Sequence, residues 1–289
     1  MRDLSADHDL RWLSLNTGTV RAQGDFLAIL EAAKRHGISI VSPWRDQIAA
    51  VGLDTAVRAL RDGGFSLSGY CRGGLFPTDA AHRDAVRDDN RRAIDEAKEL
   101  GAPCLVIVVG GLPQFNRDGI IPSHDIADAR AQVADGVAEM LDYAEDVGMP
   151  LALEPLHPMM AAVRSCLCTL RQALDLCDAL DPDRTRGLGI TLDVYHVWWD
   201  TTLAESLQAA RGRILGYHLC DWLEETRDML LDRGMMGDGV ADLRALRAAV
   251  EEAGYAGACE VEIFSARDWW QRRPDEVLDT VVDRFRSVC

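Results

Sequence analysis

The 289 residues carry 47 acidic against 31 basic side chains, a formal charge of −16, with 48% apolar residues. That share supplies a sizeable core, and no run approaches the roughly 18–20 apolar residues of a membrane-spanning helix. A field this acidic repels a nucleic-acid backbone, and the charged start MRDLSADHDLRW has no apolar stretch behind it, so no signal peptide is expected and the cytoplasm is the default address.

In chain order one beat recurs: an amphipathic segment, a glycine, a short apolar run, then a polar connection. Gly37 precedes ISIVSPW, Gly63 and Gly64 precede FSLSGY, Gly101 precedes APCLVIVV, Gly148 precedes MPLALEP and Gly254 precedes YAGACEVEIF. Glycine suits the left-handed position that ends a helix. Helical stripes lie between: Phe26, Ile29, Leu30 and Ala33; Leu53, Ala56, Val57 and Leu60; Val86, Ala93, Ile94 and Ala97. Val133 to Ala144, Leu170 to Cys177 and Leu243 to Val250 continue the series, and Thr169 with Gln172 fits a capping box.

The strand-length runs number eight: WLSLNT, ISIVSP, FSLSGY, CLVIVV, LALEP, LGITLD, ILGYHL and CEVEIF. They are apolar enough to be buried on both faces, as parallel strands are. Eight strands alternating with helices predict an α/β fold, a single (β/α)8 TIM barrel, with residues 1–289 as one domain. No GxGxxG follows the first strand, so a dinucleotide-binding fold is not supported. The eight cysteines form no CxxC pair and read as reduced, buried thiols. Lys34 and Lys98, the only lysines, fall in helical stretches, which argues against a Schiff-base mechanism.

Four strands end in side chains that bind metals or move protons. LALEPLHP ends on Glu154, GITLDVYHVWWD presents Asp193 and His196, ILGYHLCDW presents His218, and ACEVEIF carries Glu260 and Glu262. A carboxylate at the end of a buried strand is costly unless a cation or hydrogen bonds receive it. In a barrel these strand ends meet on the catalytic face. Three carboxylates and an imidazole favour Mn²⁺ or Mg²⁺, with Co²⁺ or Zn²⁺ as alternatives. Strand alternation alone does not choose between Glu260 and Glu262, since residues two apart share a face. His157 is read equally as a support for the site or as loop packing.

The order ALEP, LDxxH, HLxDW, GDG and AGYxGxxEVEIF resembles the xylose isomerase-like sugar isomerase/epimerase superfamily of metal-dependent barrels. The resemblance implies that Glu154, Asp193, His218 and Glu262 hold one divalent metal, and it selects Glu262 over Glu260. It also implies that His196 contacts substrate and that Glu154 and Glu262 act as proton acceptor and donor around an enediolate.

Six of the seven tryptophans, Trp12 being the exception, follow strand ends, and their faces suit a sugar ring or an aromatic group. Trp198, Trp222 and Trp269 are the ones assigned to substrate. The segment RDMLLDRGMMGDG, 227–239, reads as a long flexible loop whose Arg227 is assigned to substrate; its arginines, with Arg267, Arg272 and Arg273, suit a phosphate or carboxylate or equally solvated surface charge, the reading preferred for Arg272 and Arg273.

The leading expectation is a metal-dependent isomerase or epimerase of a keto sugar, sugar acid or cyclitol. The alternative is a lyase or dehydratase on a related keto sugar, of the inosose dehydratase or 3-keto C-glycoside cleaving kind. An endonuclease IV-like phosphodiesterase ranks lower, because it needs more histidines and a basic face. The partners expected are a small carbohydrate, with no nucleic acid and no membrane; a homo-oligomer is compatible, though no residue requires one.

Overall fold

The computed structural model describes residues 2–7, 10–112 and 124–289. Its strands are β1 Leu13–Asn16, β2 Ile40–Ser42, β3 Ser66–Leu67, β4 Tyr70–Gly74, β5 Leu105–Val108, β6 Leu151–Leu153, β7 Leu188–Asp193, β8 Ile214–Leu219 and β9 Cys259–Val261. They pair in the order β3-β2-β1-β9-β8-β7-β6-β5-β4, and every ladder is parallel.

The two ends of that order, β3 and β4, are halves of the third strand, so the sheet closes into the expected barrel. At Ser68 and Gly69 the chain stops pairing with β2 and begins pairing with β5: Ser68 N donates to Val41 O at 3.2 Å and Tyr70 N to Cys104 O at 3.1 Å. Cys71 N then donates to Pro43 O at 3.0 Å, beside a parallel bridge between Trp44 and Cys71, which sews the seam. The third strand runs on to Gly74, four residues beyond the FSLSGY run, through the polar and glycine-rich CRGG.

Strands β1, β5 and β7 are buried at every residue, as their apolar composition requires once helices cover the outside. Phe26, Ile29, Leu30 and Ala33 form the buried stripe of the helix Phe26–Arg35, which Asp25 caps by accepting from Ala28 N at 2.9 Å. Burying each large aliphatic side chain contributes about 1.5–3 kcal/mol. Gly101 and Gly148 end their helices at φ 76° and 73°, a conformation an L side chain adopts only at a cost. At Thr169 the cap differs from the expected box. Its hydroxyl accepts from Gln172 N at 3.2 Å, but the Gln172 carbonyl oxygen accepts from Cys168 N at 2.8 Å, one residue early.

Because all strands run the same way, their C-terminal ends and following loops share one face. No described helix is long and apolar enough to cross a membrane.

Candidate metal centre

Glu154 follows β6, Asp193 ends β7, His218 lies one residue from the end of β8, and Glu262 follows β9. These four strands are consecutive neighbours in the sheet. All four side chains are buried, and one ligand atom from each lies within 4.8 Å of the others.

The donor set fits a cation on its own geometry. Glu154 Oε1 and His218 Nδ1 stand 3.2 Å apart, and apart from each other neither has a hydrogen-bond partner among the described residues. Buried polar atoms are rarely left with so few partners, and a metal ion would satisfy both once the imidazole gives up its proton. His218 Nε2 lies 3.4 Å from Glu260 Oε1. A neutral imidazole therefore keeps its proton on Nε2 and turns Nδ1 to the cluster, the carboxylate–histidine arrangement that orients metal-binding histidines.

Glu260 and Glu262 both point into the barrel, and their partners separate their roles. Asn16 Nδ2 donates to Glu260 Oε1 at 2.7 Å and Glu262 Oε1 at 3.0 Å, and Ser68 Oγ donates to Glu260 Oε2 at 2.7 Å. Asn16 is itself fixed by Trp44 Nε1 and Gly18 N, which donate to its Oδ1 at 2.7 and 2.9 Å. Asp193 caps the short helix Val194–Val197, accepting from Tyr195 N at 2.8 Å through Oδ1, while Oδ2 stays with the cluster.

Sequence reasoning missed Arg233. Its Nη1 donates at 2.8 Å to both Asp193 Oδ2 and Glu262 Oε2, and its guanidinium lies 4.6 Å from the Tyr195 ring centroid and 5.0 Å from that of Phe264. The segment read as a flexible loop is firmly tied down. Asp221 accepts from Trp222 N, Gly237 N and Ala241 N at 2.9–3.0 Å, bridges pair Asp221 with Gly234 and Asp232 with Ser265, and Met235 and Met236 are fully buried. The apolar pair after Arg233 was the available sign that this stretch packs inward.

The other assigned residues divide. His196 is buried, its Nδ1 accepts from His157 N at 3.0 Å, and its Nε2 faces Arg233 Nη2 at 3.4 Å. Trp222 stacks on His157 at 4.8 Å and leans on Trp198 at 5.6 Å. Arg227 is engaged by Asp232, with Nη2 donating to Oδ1 at 2.5 Å. Trp269 is buried away from the cavity mouth, donating to Asp238 at 3.0 Å under the Arg272 guanidinium; the adjacent Trp270 lines the mouth instead.

Burial, with the charges of Glu262 and Asp193, pushes the Glu154 carboxyl up despite His218. Burial also opposes ionisation of Glu262, but Arg233 and His218 prevail and hold it at about 2. His218 is raised well above its usual range, because Glu260, Glu154 and Glu262 outweigh its burial. Burial drives His196 down to about 3, so that imidazole is neutral. Metal binding to such a cluster displaces protons.

Residues 30–288 match the family model described as the xylose isomerase-like TIM barrel. The solved structure of the Sinorhizobium meliloti 1021 protein SMc04130 is 52% identical, with a TM-score of 0.91 over 97% of this chain and 99% of that one. An inosose isomerase of Bacillus velezensis is 27% identical over 68% of this chain and 69% of its own. The L-ribulose-5-phosphate 3-epimerase UlaE of Salmonella typhi is 26% identical over 79% and 78%. With its parallel barrel and its Glu-Asp-His-Glu cluster, this chain belongs to the xylose isomerase-like TIM barrel family, within the sugar isomerase/epimerase superfamily.

Proposed function

We propose that this protein is a divalent-metal-dependent isomerase or epimerase of a keto sugar, sugar acid or cyclitol, working through an enediolate. The observation that carries the reading is the convergence of four buried ligand atoms within 4.8 Å, two of them with no partner among the described residues outside the cluster. Its isomerase and epimerase relatives support the same class.

Glu154, Asp193, His218 and Glu262 would hold the ion, Mn²⁺ or Mg²⁺ by donor hardness, with Co²⁺ or Zn²⁺ also suited to the set. When bound, it supplies Lewis-acid stabilisation of the negative charge that develops on the substrate oxygens. Glu154 and Glu262 are the outer members of the row of four. A substrate carbon between them meets a carboxylate on each side, one to accept its proton and the other to return it. Arg233 keeps Glu262 ionised, and the neutral His196 directs Nε2 at the cluster to bind a substrate oxygen. Trp198 and Trp222 supply an apolar wall beside it.

The test is exchange of the substrate's carbon-bound proton with D₂O across a panel of keto sugars, sugar acids and inososes, beside elemental analysis of the protein. The wild type should carry about one divalent metal per chain, since structured sites bind stoichiometrically, and exchange should vanish in both Glu154→Gln and Glu262→Gln. Unchanged exchange in both variants would refute the two-glutamate mechanism. Loss of water, carbon dioxide or an aglycone from the substrate would move the reading to a lyase.

A further inference from the structure

At the barrel mouth lies a cavity of about 490 Å³ whose walls include Arg21, Arg45, Arg72, Arg164, Trp44 and Trp270. Four arginines face it against two aspartates, Asp46 and Asp89. In a chain of net charge −16 this local excess of positive charge runs against the whole.

Both aspartates are already engaged. Arg21 pairs with Asp46, and Arg45 pairs with Asp89 at 2.9 Å and with Glu96 at 2.8 Å. Arg72 and Arg164 are left over: among the described residues neither guanidinium has a carboxylate within 4.0 Å or a hydrogen-bond partner, and Arg164 Nε is buried with nothing to donate to. A guanidinium does not escape this by losing its proton. Burial pushes both down from their usual value, the charge of Arg72 presses further on Arg164, and Glu154 is an acidic group whose field reaches both. Two half-buried cations without partners among the described residues, on the same cavity as Cys71 and Phe264, are costly to fold and are poised for an anion that arrives with the substrate.

We propose that Arg72 and Arg164 form an oxyanion subsite, and that the substrate carries a phosphate or carboxylate at the end remote from its reacting carbon. The assignment rests on the catalytic reading above and names its substrate class. Guanidiniums suit both groups because their planar N–H forks match carboxylate and phosphate oxygens. Trp44, Phe264 and Trp270, packed edge to face at 5.3 and 5.8 Å, wall the passage alongside.

The experiment is isothermal titration of inorganic phosphate, and separately of acetate, into the full chain after EDTA treatment, so that only protein groups bind the probe. At least one anion should saturate, and Arg72→Met and Arg164→Met should each weaken it about ten-fold or more, the scale of one charge-assisted contact. Arg171→Met, on a surface pair with Asp175, should leave it unchanged. Phosphate saturating alone identifies a phosphorylated substrate, and acetate saturating alone a carboxylate. Without ligand the two variants should melt no lower than wild type, because each removes an unpaired charge. Absence of saturable binding, equal binding in the variants, or a lowered melting temperature in both overturns the subsite. Metal content measured on the same samples judges the catalytic reading independently.

Discussion

Replacing Arg233 by Met exposes how the cluster is held when no cation is bound. The guanidinium donates at 2.8 Å to Asp193 and to Glu262, both buried; Glu262 also has His218 Nδ1 at 3.6 Å, whereas no other arginine or lysine among the described residues pairs with either carboxylate. Removing one partner of a buried ion pair costs about 3–5 kcal/mol because the remaining charge is stranded. The metal-free variant should therefore melt on the order of 6–20 °C below wild type, at about 2–4 °C per kcal/mol for a chain of this size class. Methionine keeps a comparable stem between the Tyr195 and Phe264 rings, which limits packing loss. Saturating Mn²⁺ supplies the positive charge that Asp193 and Glu262 have lost, so the metal-induced rise in melting temperature should be larger in the variant than in wild type. Differential scanning calorimetry with EDTA and with MnCl₂ reads both quantities. A metal-free variant within about 2 °C of wild type, or a metal-induced rise no larger than the wild-type one, would refute the charge-balance argument.

Glu260→Gln should lower metal affinity about 10–100-fold with the four ligands intact, because the carboxylate beside His218 Nε2 is lost; competition against a chelator measures it. Asp181 supplies a pH test away from the site. Burial opposes its ionisation, but Thr185 N, Arg186 N and Leu188 N, with Arg213, hold its carboxyl below the ordinary range. A folded pKa below the unfolded one gives stability that is full above about pH 4 and lost as pH falls through the folded value. The gap between wild type and Asp181→Asn in urea unfolding should thus hold steady from neutral pH to about 5 and close below about 4; a gap that persists at low pH contradicts it.

The barrel was legible because its signals are local. Apolar runs of strand length followed glycine-ended helices, and each of Glu154, Asp193 and His218 sat where such a run stopped. The third strand was cut short in the reading because Arg72, Gly73 and Gly74 look nothing like a buried strand, although Tyr70–Gly74 pairs with β5. Arg233 and Asn16 were invisible for a different reason: the carboxylates they bond lie 29 to 246 residues away, and one arginine among several in a polar segment carries no mark of burial. Trp269 and Trp270 show the limit of placing residues by loop alone. Neighbours in one tight turn face opposite ways, so one packs on Asp238 and the other reaches the cavity. Arg227, assigned to substrate, is engaged by Asp232, and Arg272, read as surface charge, pairs with Asp268; Arg72 lies in the part of the third strand that the apolar pattern does not reveal.

The split third strand divides labour within the ring. Counting around the barrel, the seam at Ser68 and Gly69 lies opposite β8, while Glu154, Asp193, His218 and Glu262 come from four strands paired without a break in their order. Arg72 follows the seam directly, on the half that changes partners. A barrel joined in this way can vary at the wall that carries Arg72 while the spacing of its four inward donors stays fixed. One scaffold can then keep its chemistry and exchange the molecules on which it acts.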